Sequence, residues 1–291
     1  MPAPGTPAAP DDPAQPPNSV STARLYSAAQ GGPAARDAYQ ADLDIASQLA
    51  DLGLDPQVMA RENRGFHNRV THYAACELGI RQVLDAGCGN PAQAGPDTHD
   101  ILQEIHPDYR VLYADNDPVV VARAAALMVD NRRPTATAAA QADLRDPDQT
   151  LRTAHDQLDF DHPVLLLLIA VLHFIPDTDD PHGLVRTLTD GLPPGSAVAI
   201  SHVTDDFAPE TMRRAEALLA GRALQARTRP HHAIAQFFDG LTLIRPGVVP
   251  VHHWRQPAPA PALDTDTEQI PPAKVHLYGG LAFKATGWAA L

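Results

Sequence analysis

Residues 164–170 read VLLLLIA, seven positions without a polar side chain. A strand with one solvated face alternates polar and apolar residues. A continuous run belongs to a parallel sheet covered on both faces. The flanking sequence fits such a sheet. Strands are predicted at 82–85, 110–115, 135–142 and 197–203, and helices at 97–106, 118–130 and 181–192 lie between them. Asp117 stands where an N-cap is wanted, with Pro118 at the first helical position. Strand and helix in regular alternation imply an α/β fold, a parallel sheet with helices on both faces. Two later runs, 248–254 and 276–283, bring the expected sheet to seven strands, mostly parallel.

Extra segments surround this core. Residues 1–21 are rich in proline, lack periodicity and are expected to be disordered. From 22 to 53 the pattern is helical, and Tyr39, Leu43, Ala46 and Ala50 make one apolar stripe. A further helix is predicted over 56–78, with Val58, Phe66, Val70 and Tyr73 on its apolar side and Gly79 as its stop. Residues 22–78 thus read as an N-terminal helical cap on a domain spanning 79–291. A helix over 209–226 forms an insertion at about 205–228, after the fifth strand. Another helix is expected over 233–241, and a Pro-rich loop over 256–273.

Composition narrows the function. The formal net charge of −13 repels a phosphate backbone, so a nucleic-acid partner is disfavoured. The apolar run 164–172 is too short to span a bilayer, and the N-terminus lacks a basic region followed by an apolar one, so neither a membrane nor an export signal is expected. The two cysteines, Cys76 and Cys88, read as free thiols in the reducing cytoplasm. Fourteen histidines include the pairs His231–His232 and His252–His253, but no His-x-x-x-His or Cys-x-x-Cys spacing exists, and no metal site is expected.

The chemistry concentrates in Asp85-Ala86-Gly87-Cys88-Gly89, a turn that follows a strand. Glycines there let the backbone approach a ligand and take conformations closed to other residues. Gly87, Gly89 and Ala92 also fit the Gly-x-Gly-x-x-Gly/Ala dinucleotide pattern. Two features favour S-adenosylmethionine (SAM) instead. Asp85 would repel a pyrophosphate but suits the cationic amino-acid end of SAM. Asn90-Pro91 and Gly95-Pro96 make a long loop, so no helix N-terminus follows directly to receive phosphates. Asp115 ends the second strand, where a carboxylate accepts hydrogen bonds from ribose hydroxyls. Asn116 is placed against an adenine ring, and Asp143 and Leu144 where the adenine amino group would lie. Ala170 ends the fourth strand. Asn63, with Arg61 and Arg64, is expected to reach the SAM carboxylate or fold over it. All these ends fall on the carboxyl edge of the sheet, where open α/β sheets bind ligands.

Longer stretches carry a resemblance. RENRGF (61–66), GIRQVLDAGCG (79–89), VLYADNDPVVVARAAAL (111–127), ADLRDP (142–147), LLLLIAVLHFIPDTDDPHGLV (165–185), LPPGSAVAISHVT (192–204) and FFDGLTLIRPGVVPVHHWR (237–255) are together similar to a bacterial family of SAM-dependent methyltransferases. That family has the class I Rossmann-like methyltransferase fold and was long described as a domain of unknown function. The resemblance runs from about Thr22 to the C-terminus. It implies SAM at the edge described, S-adenosylhomocysteine as product, and little about the acceptor.

There are departures. ARLYSAAQGG (23–32) keeps Arg24, Tyr26 and Gly31-Gly32 of the family's N-terminal pattern but loses its aromatic, acidic and Lys-Asp-Asn positions. Cys88 stands where Thr is usual. Direct displacement needs alignment more than a catalytic triad. The candidates for acting on the acceptor are His173, past the fourth strand, His202 in the fifth, and Tyr26 on a segment that can serve as a lid. The expected acceptor is a small molecule, a specialised metabolite being one class, and a homodimer is left open. An NAD-dependent oxidoreductase and a non-catalytic SAM-binding protein are the alternatives.

Overall fold

The computed structural model describes residues 20–91, 95–130, 136–255 and 270–285. The N-terminal tail and most of the Pro-rich loop read from the sequence lie outside these residues. In chain order come α1 (Thr22–Gln30), α2 (Gln40–Asp51), α3 (Pro56–Glu77), β1 (Gln82–Ala86), α4 (Thr98–Ile105), β2 (Arg110–Asp115), α5 (Pro118–Asp130), β3 (Thr137–Gln141) and α6 (Pro147–Gln157). Next follow β4 (Val164–Ile169), α7 (Pro181–Gly191), β5 (Ala197–Val203), α8 (Pro209–Ala220), α9 (His231–Ala235), β6 (Thr242–Leu243), β7 (Val249–Pro250), α10 (Pro272–Val275) and β8 (Leu277–Phe283).

The sheet order is β3-β2-β1-β4-β5-β8-β6, with β7 also pairing with β8. Strands β1 to β5 run parallel, and β8 pairs antiparallel with β5, β6 and β7. Among the described residues this Rossmann-like sheet has eight strands where seven were expected, because the two-residue strand β6 also pairs with β8.

The apolar run 164–170 supplies β4, the middle of this sheet. Leu165 and Leu167 face one core, with Phe66, Val70 and Val83, while Leu166 and Leu168 face the other, with Leu184, Leu188 and Val198. Each fully buried leucine contributes about 1.5–3 kcal/mol, so β4 needs apolar residues on both sides. Phe66 and Val70 lie on α3, which therefore covers the sheet itself and is not only a cap.

Three expectations are corrected by packing. The apolar stripe of α2 does not face inward: Tyr39 and Leu43 are exposed, and Asp42 and Ile45 are buried instead. Asp42 turns in because Arg24 Nε donates to it at 2.8 Å and the Ser21 and Tyr39 amides donate to it as well. The predicted strand 248–254 is only β7, followed by a short turn at Val251–His253. Arg69 donates to the carbonyls of Val251 and Trp254, both at 2.7 Å, and the buried Trp254 ring meets Phe66 edge-on. Helix α6 was missed, since its sequence PDQTLRTAHDQ buries only Thr150 and Ala154.

Helices α1, α2 and α8 pack on each other through two small clusters. One joins Leu25, Ile45 and Leu219, the other Leu54, Met212 and Ala215. Among the described residues no helix is long and apolar enough to cross a membrane.

Candidate active site

Strand β1 ends in Asp85, and the chain then turns sharply. The Gly87 and Cys88 amides both donate to Ala114 O of β2, at 2.8 and 3.2 Å. Gly87 has φ +73°, and a Cβ there would lie 2.4 Å from Val171 Cγ2. Its glycine is required by the loop after β4, which presses on the turn. Gly89 differs: its φ is +64°, but a Cβ would meet nothing within 4 Å. That side of the turn is open, as close approach by a ligand requires.

Acidic side chains surround the opening. Asp115 Oδ2 accepts from the Gly89 amide and Oδ1 from the Asp117 amide, both at 3.0 Å. It is 9% exposed, and burial raises its pKa. Asp85 accepts from Thr98 Oγ1 at 2.7 Å, and that hydroxyl accepts in turn from His67 Nε2 at 2.9 Å. The Asp143 carboxylate is held by the Arg145 side chain and amide, and the Arg145 guanidinium lowers its pKa. Burial and the neighbouring carboxylates push the Cys88 thiol well above its usual range, which makes it inert as a nucleophile.

One cavity of about 870 Å³ joins these groups. Asp85, Gly87, Cys88, Gly89, Asp115, Asn116, Asp143, Leu144 and Ala170 all line it, with Asn63, Arg64, Tyr26 and His173. Ala170 has φ +53°, a conformation that L side chains avoid. A hydrogen-bonded chain supports it. Ser201 Oγ accepts from the Ala170 amide at 3.0 Å and donates to Asn63 Oδ1 at 2.6 Å, and Asn63 Nδ2 donates to Tyr26 Oη at 2.8 Å. Arg64 Nη2 donates to Asp97 Oδ1 at 2.8 Å and to Pro96 O, while its Nε is buried without a partner.

Two expected site residues lie elsewhere. Arg61 is exposed, pairs with Glu62 at 3.0 Å and does not line the cavity. Its neighbours on α3 face inward, and one helical step carries Arg61 out to solvent. His202 is fully buried behind the cavity wall. Its Nδ1 donates to Val203 O at 2.7 Å and its Nε2 accepts from Arg229 Nη1 at 2.8 Å, so both nitrogens are engaged. Among the described residues no group of three or more His, Cys, Asp or Glu is placed to hold a metal.

The sequence profile of S-adenosyl methyltransferases matches residues 14–285. The chain belongs to this methyltransferase family. Two solved structures resemble it over nearly their whole length. A DUF574 family protein of Streptomyces avermitilis is 37% identical, with a TM-score of 0.82 over 91% of this chain and 98% of its own. A protein of Thermobifida fusca assigned to the methyltransferases is 28% identical, with a TM-score of 0.80 over 92% of this chain and 96% of its own. An O-methyltransferase family protein of Burkholderia thailandensis, 14% identical, has a TM-score of 0.50 over 82% of this chain and 63% of its own, and shares the fold alone. No curated protein matches the sequence. The family makes SAM the cofactor and sets aside both alternatives, the oxidoreductase and the non-catalytic binder.

The methyltransferase also uses residues that carried no signal in the sequence. Arg229 is 4% exposed and clamps the turn after β4. It donates to Leu172 O at 3.2 Å, Ile175 O at 3.0 Å and Asp177 Oδ1 at 2.6 Å, besides His202. Nothing in Thr-Arg-Pro-His marks it. This clamp holds His173, whose carbonyl accepts from the Arg227 amide at 2.7 Å. Burial, with the Arg229 charge second, pushes the His173 pKa down to about 3. The ring is therefore neutral throughout the physiological range. We expect Arg229→Met to raise the His173 pKa, because the positive charge opposing protonation is gone. Histidine NMR titration checks this, with His173→Gln to assign the signal. An unmoved pKa in a folded variant would leave burial as its only determinant.

Proposed function

We propose that this methyltransferase transfers the SAM methyl group to a small molecule in the cytoplasm. The observation that carries this reading is the continuous cavity that runs from the glycine turn to the space beneath α8. Its volume lies near the upper end of the roughly 300–1,000 Å³ typical of small-ligand pockets, enough for a nucleoside cofactor and a modest acceptor. The net charge of −13 argues against a nucleic-acid acceptor. Cys76, an exposed free thiol, suits a reducing compartment.

The residues fit SAM chemically. Asp115 would hold the ribose hydroxyls, and Asn116, Asp143 and Leu144 would border the adenine. Asp85, Gly87, Cys88 and Gly89 would receive the amino-acid end, whose ammonium suits Asp85. Arg64 Nε, buried and unpartnered, suits its carboxylate. Ala170 and Asn63 would support the wall between cofactor and acceptor. SAM supplies an activated methyl group, so the protein's own task is alignment and exclusion of water. Helices α1, α2 and α8 provide the cover on the acceptor side, and Tyr26 belongs to it.

His173 has a narrower role than a general base. Moving a proton from a hydroxyl of pKa about 10 to a ring of pKa about 3 costs on the order of 9 kcal/mol. The neutral imidazole is better suited to orient the acceptor through a hydrogen bond. His173→Ala should therefore leave S-adenosylhomocysteine affinity nearly unchanged in titration calorimetry. A large loss would place the ring in the cofactor's half.

The reading is tested by incubating the full-length protein with methyl-labelled SAM and a bacterial lysate separated into small-molecule, nucleic-acid and protein fractions. Label is expected in the small-molecule fraction. Label confined to nucleic acid or protein would overturn the proposal.

A further inference from the structure

The acceptor half of the cavity is apolar. Leu25, Leu54, Met59, Met212, Ala215 and Leu219 line it, drawn from α1, α3, α8 and the turn after α2. His173 Nδ1 is buried without a partner, while two other polar groups that interrupt this lining are engaged. Tyr26 Oη accepts from Asn63 and donates to Ala60 O at 3.3 Å. Glu216 Oε1 accepts from the Thr228 amide and hydroxyl, both at 2.6 Å, and its Oε2 lies 3.9 Å from Arg227 Nη1.

The charges on the wall are balanced in one direction. Its arginines each face a carboxylate: Arg64 with Asp97 at the cofactor end, Arg145 with Asp143, and Arg227 with Asp177 and Glu216. Among the described residues lining the cavity, none offers an unpaired cation to an anionic acceptor. Carboxylates on the wall outnumber the arginines: Asp85, Asp115, Asp143, Asp179 and Glu216.

We propose that the acceptor is an uncharged, largely apolar molecule whose nucleophile is a weakly basic nitrogen, as in an aromatic amine or an aza-heterocycle. This rests on the methyltransferase reading of the cavity. A carboxylated or phosphorylated acceptor would be buried among apolar groups without a counter-ion, which is costly. A hydroxyl acceptor needs a base to take its proton, and Tyr26, Glu216 and His173 are each unable to serve. Tyr26 Oη is held between Asn63 and Ala60 O. A carboxylate such as that of Glu216, held by Arg227 and Thr228, is too weak a base for a hydroxyl of pKa about 10. His173 resists protonation in its apolar seat beside Arg229. A weakly basic nitrogen carries a free lone pair at neutral pH and needs no such help.

The step balances without another reactant. The nitrogen lone pair forms the N–CH3 bond as the CH3–S bond breaks, and that bond's electron pair passes to sulfur, giving S-adenosylhomocysteine. A ring nitrogen keeps the positive charge, and an aromatic amine then loses its proton to water. The excess of wall carboxylates stabilises the positive charge shared between sulfur and nitrogen. The exposed Asp179 on the wall favours departure of a cationic product.

Three probes of the same two-ring size separate the classes: isoquinoline, 2-naphthol and 2-naphthoate. Each is incubated with the full-length protein and SAM, and the methylated products are measured by mass spectrometry. S-adenosylhomocysteine binding is followed in parallel by calorimetry. The expected result is N-methylisoquinolinium formed at least about tenfold faster than 2-methoxynaphthalene, with 2-naphthoate neither methylated nor inhibitory. Faster methylation of 2-naphthol, competition by 2-naphthoate, or no turnover of isoquinoline while S-adenosylhomocysteine binds would each overturn the proposal. Loss of S-adenosylhomocysteine binding itself would instead bring down the cofactor reading.

Discussion

Gly87→Ala is expected to destabilise the protein by about 2–5 kcal/mol and to remove tight SAM binding. Two effects add. An alanine at φ +73° costs about 1–2 kcal/mol, because its Cβ crowds the following carbonyl. That Cβ would also lie 2.4 Å from Val171 Cγ2 and 2.9 Å from Val171 Cβ, and such overpacking costs about 1–3 kcal/mol. The turn can relieve the contact only by pushing away the loop that carries His173. Denaturant unfolding of three variants separates the effects. Gly89→Ala should show the backbone cost alone, since its Cβ meets open space. Gly87→Ala combined with Val171→Ala should recover part of the loss, because the Cγ2 contact disappears while the Cβ contact and the left-handed backbone remain. Equal destabilisation by Gly87→Ala and Gly89→Ala would show that Val171 does not press on the turn.

Asp115→Ala should weaken S-adenosylhomocysteine binding by about 1–3 kcal/mol, roughly 5- to 150-fold. The carboxylate does two jobs. It accepts from the Gly89 and Asp117 amides, which fixes the glycine turn of β1 against the end of β2. Its remaining lone pairs point to the cavity it lines, where ribose hydroxyls would donate. Alanine leaves two amides and the ribose unpaired together. Asp115→Asn keeps one oxygen acceptor and should fall between alanine and the native residue. Calorimetry on variants that melt like the native protein provides the check. Native affinity in a folded Asp115→Ala would mean that the ribose lies elsewhere.

The sheet was legible because burial on both faces leaves a strong mark. VLLLLIA could hardly be anything but a central strand, and the ends of β2, β4 and β5 followed from similar runs. Elements that bury little were not legible. Helix α6 hides two small residues and shows water a polar face, so no period betrays it. The inward face of α2 was misjudged because the pattern counts apolar residues, whereas Asp42 is drawn in by the distant Arg24. The acids that line the cavity, Asp85, Asp115 and Asp143, were readable from their places at strand ends. What holds them was not: Thr98 and His67 reach Asp85 from two helices that only the fold brings together. His202 stood behind His173 as a candidate, since it too lies at the end of a sheet strand. The fold separates them, because Arg229 and Val203 O take both nitrogens of His202 while His173 faces the cavity. Gly87 was read as a site of ligand approach, but its nearest neighbour is a protein side chain, and Gly89 is the residue facing open space.

SAM is expected at the carboxyl edge of the sheet, with its ribose on Asp115 and its sulfur toward the end of β4. A crystal structure of the full-length protein with S-adenosylhomocysteine measures this directly. The expected density places both ribose hydroxyls within hydrogen-bond distance of Asp115, backbone against Gly89, and the sulfur facing the chamber that His173 lines. Density for the ribose away from Asp115, or a sulfur walled off from that chamber, would contradict it.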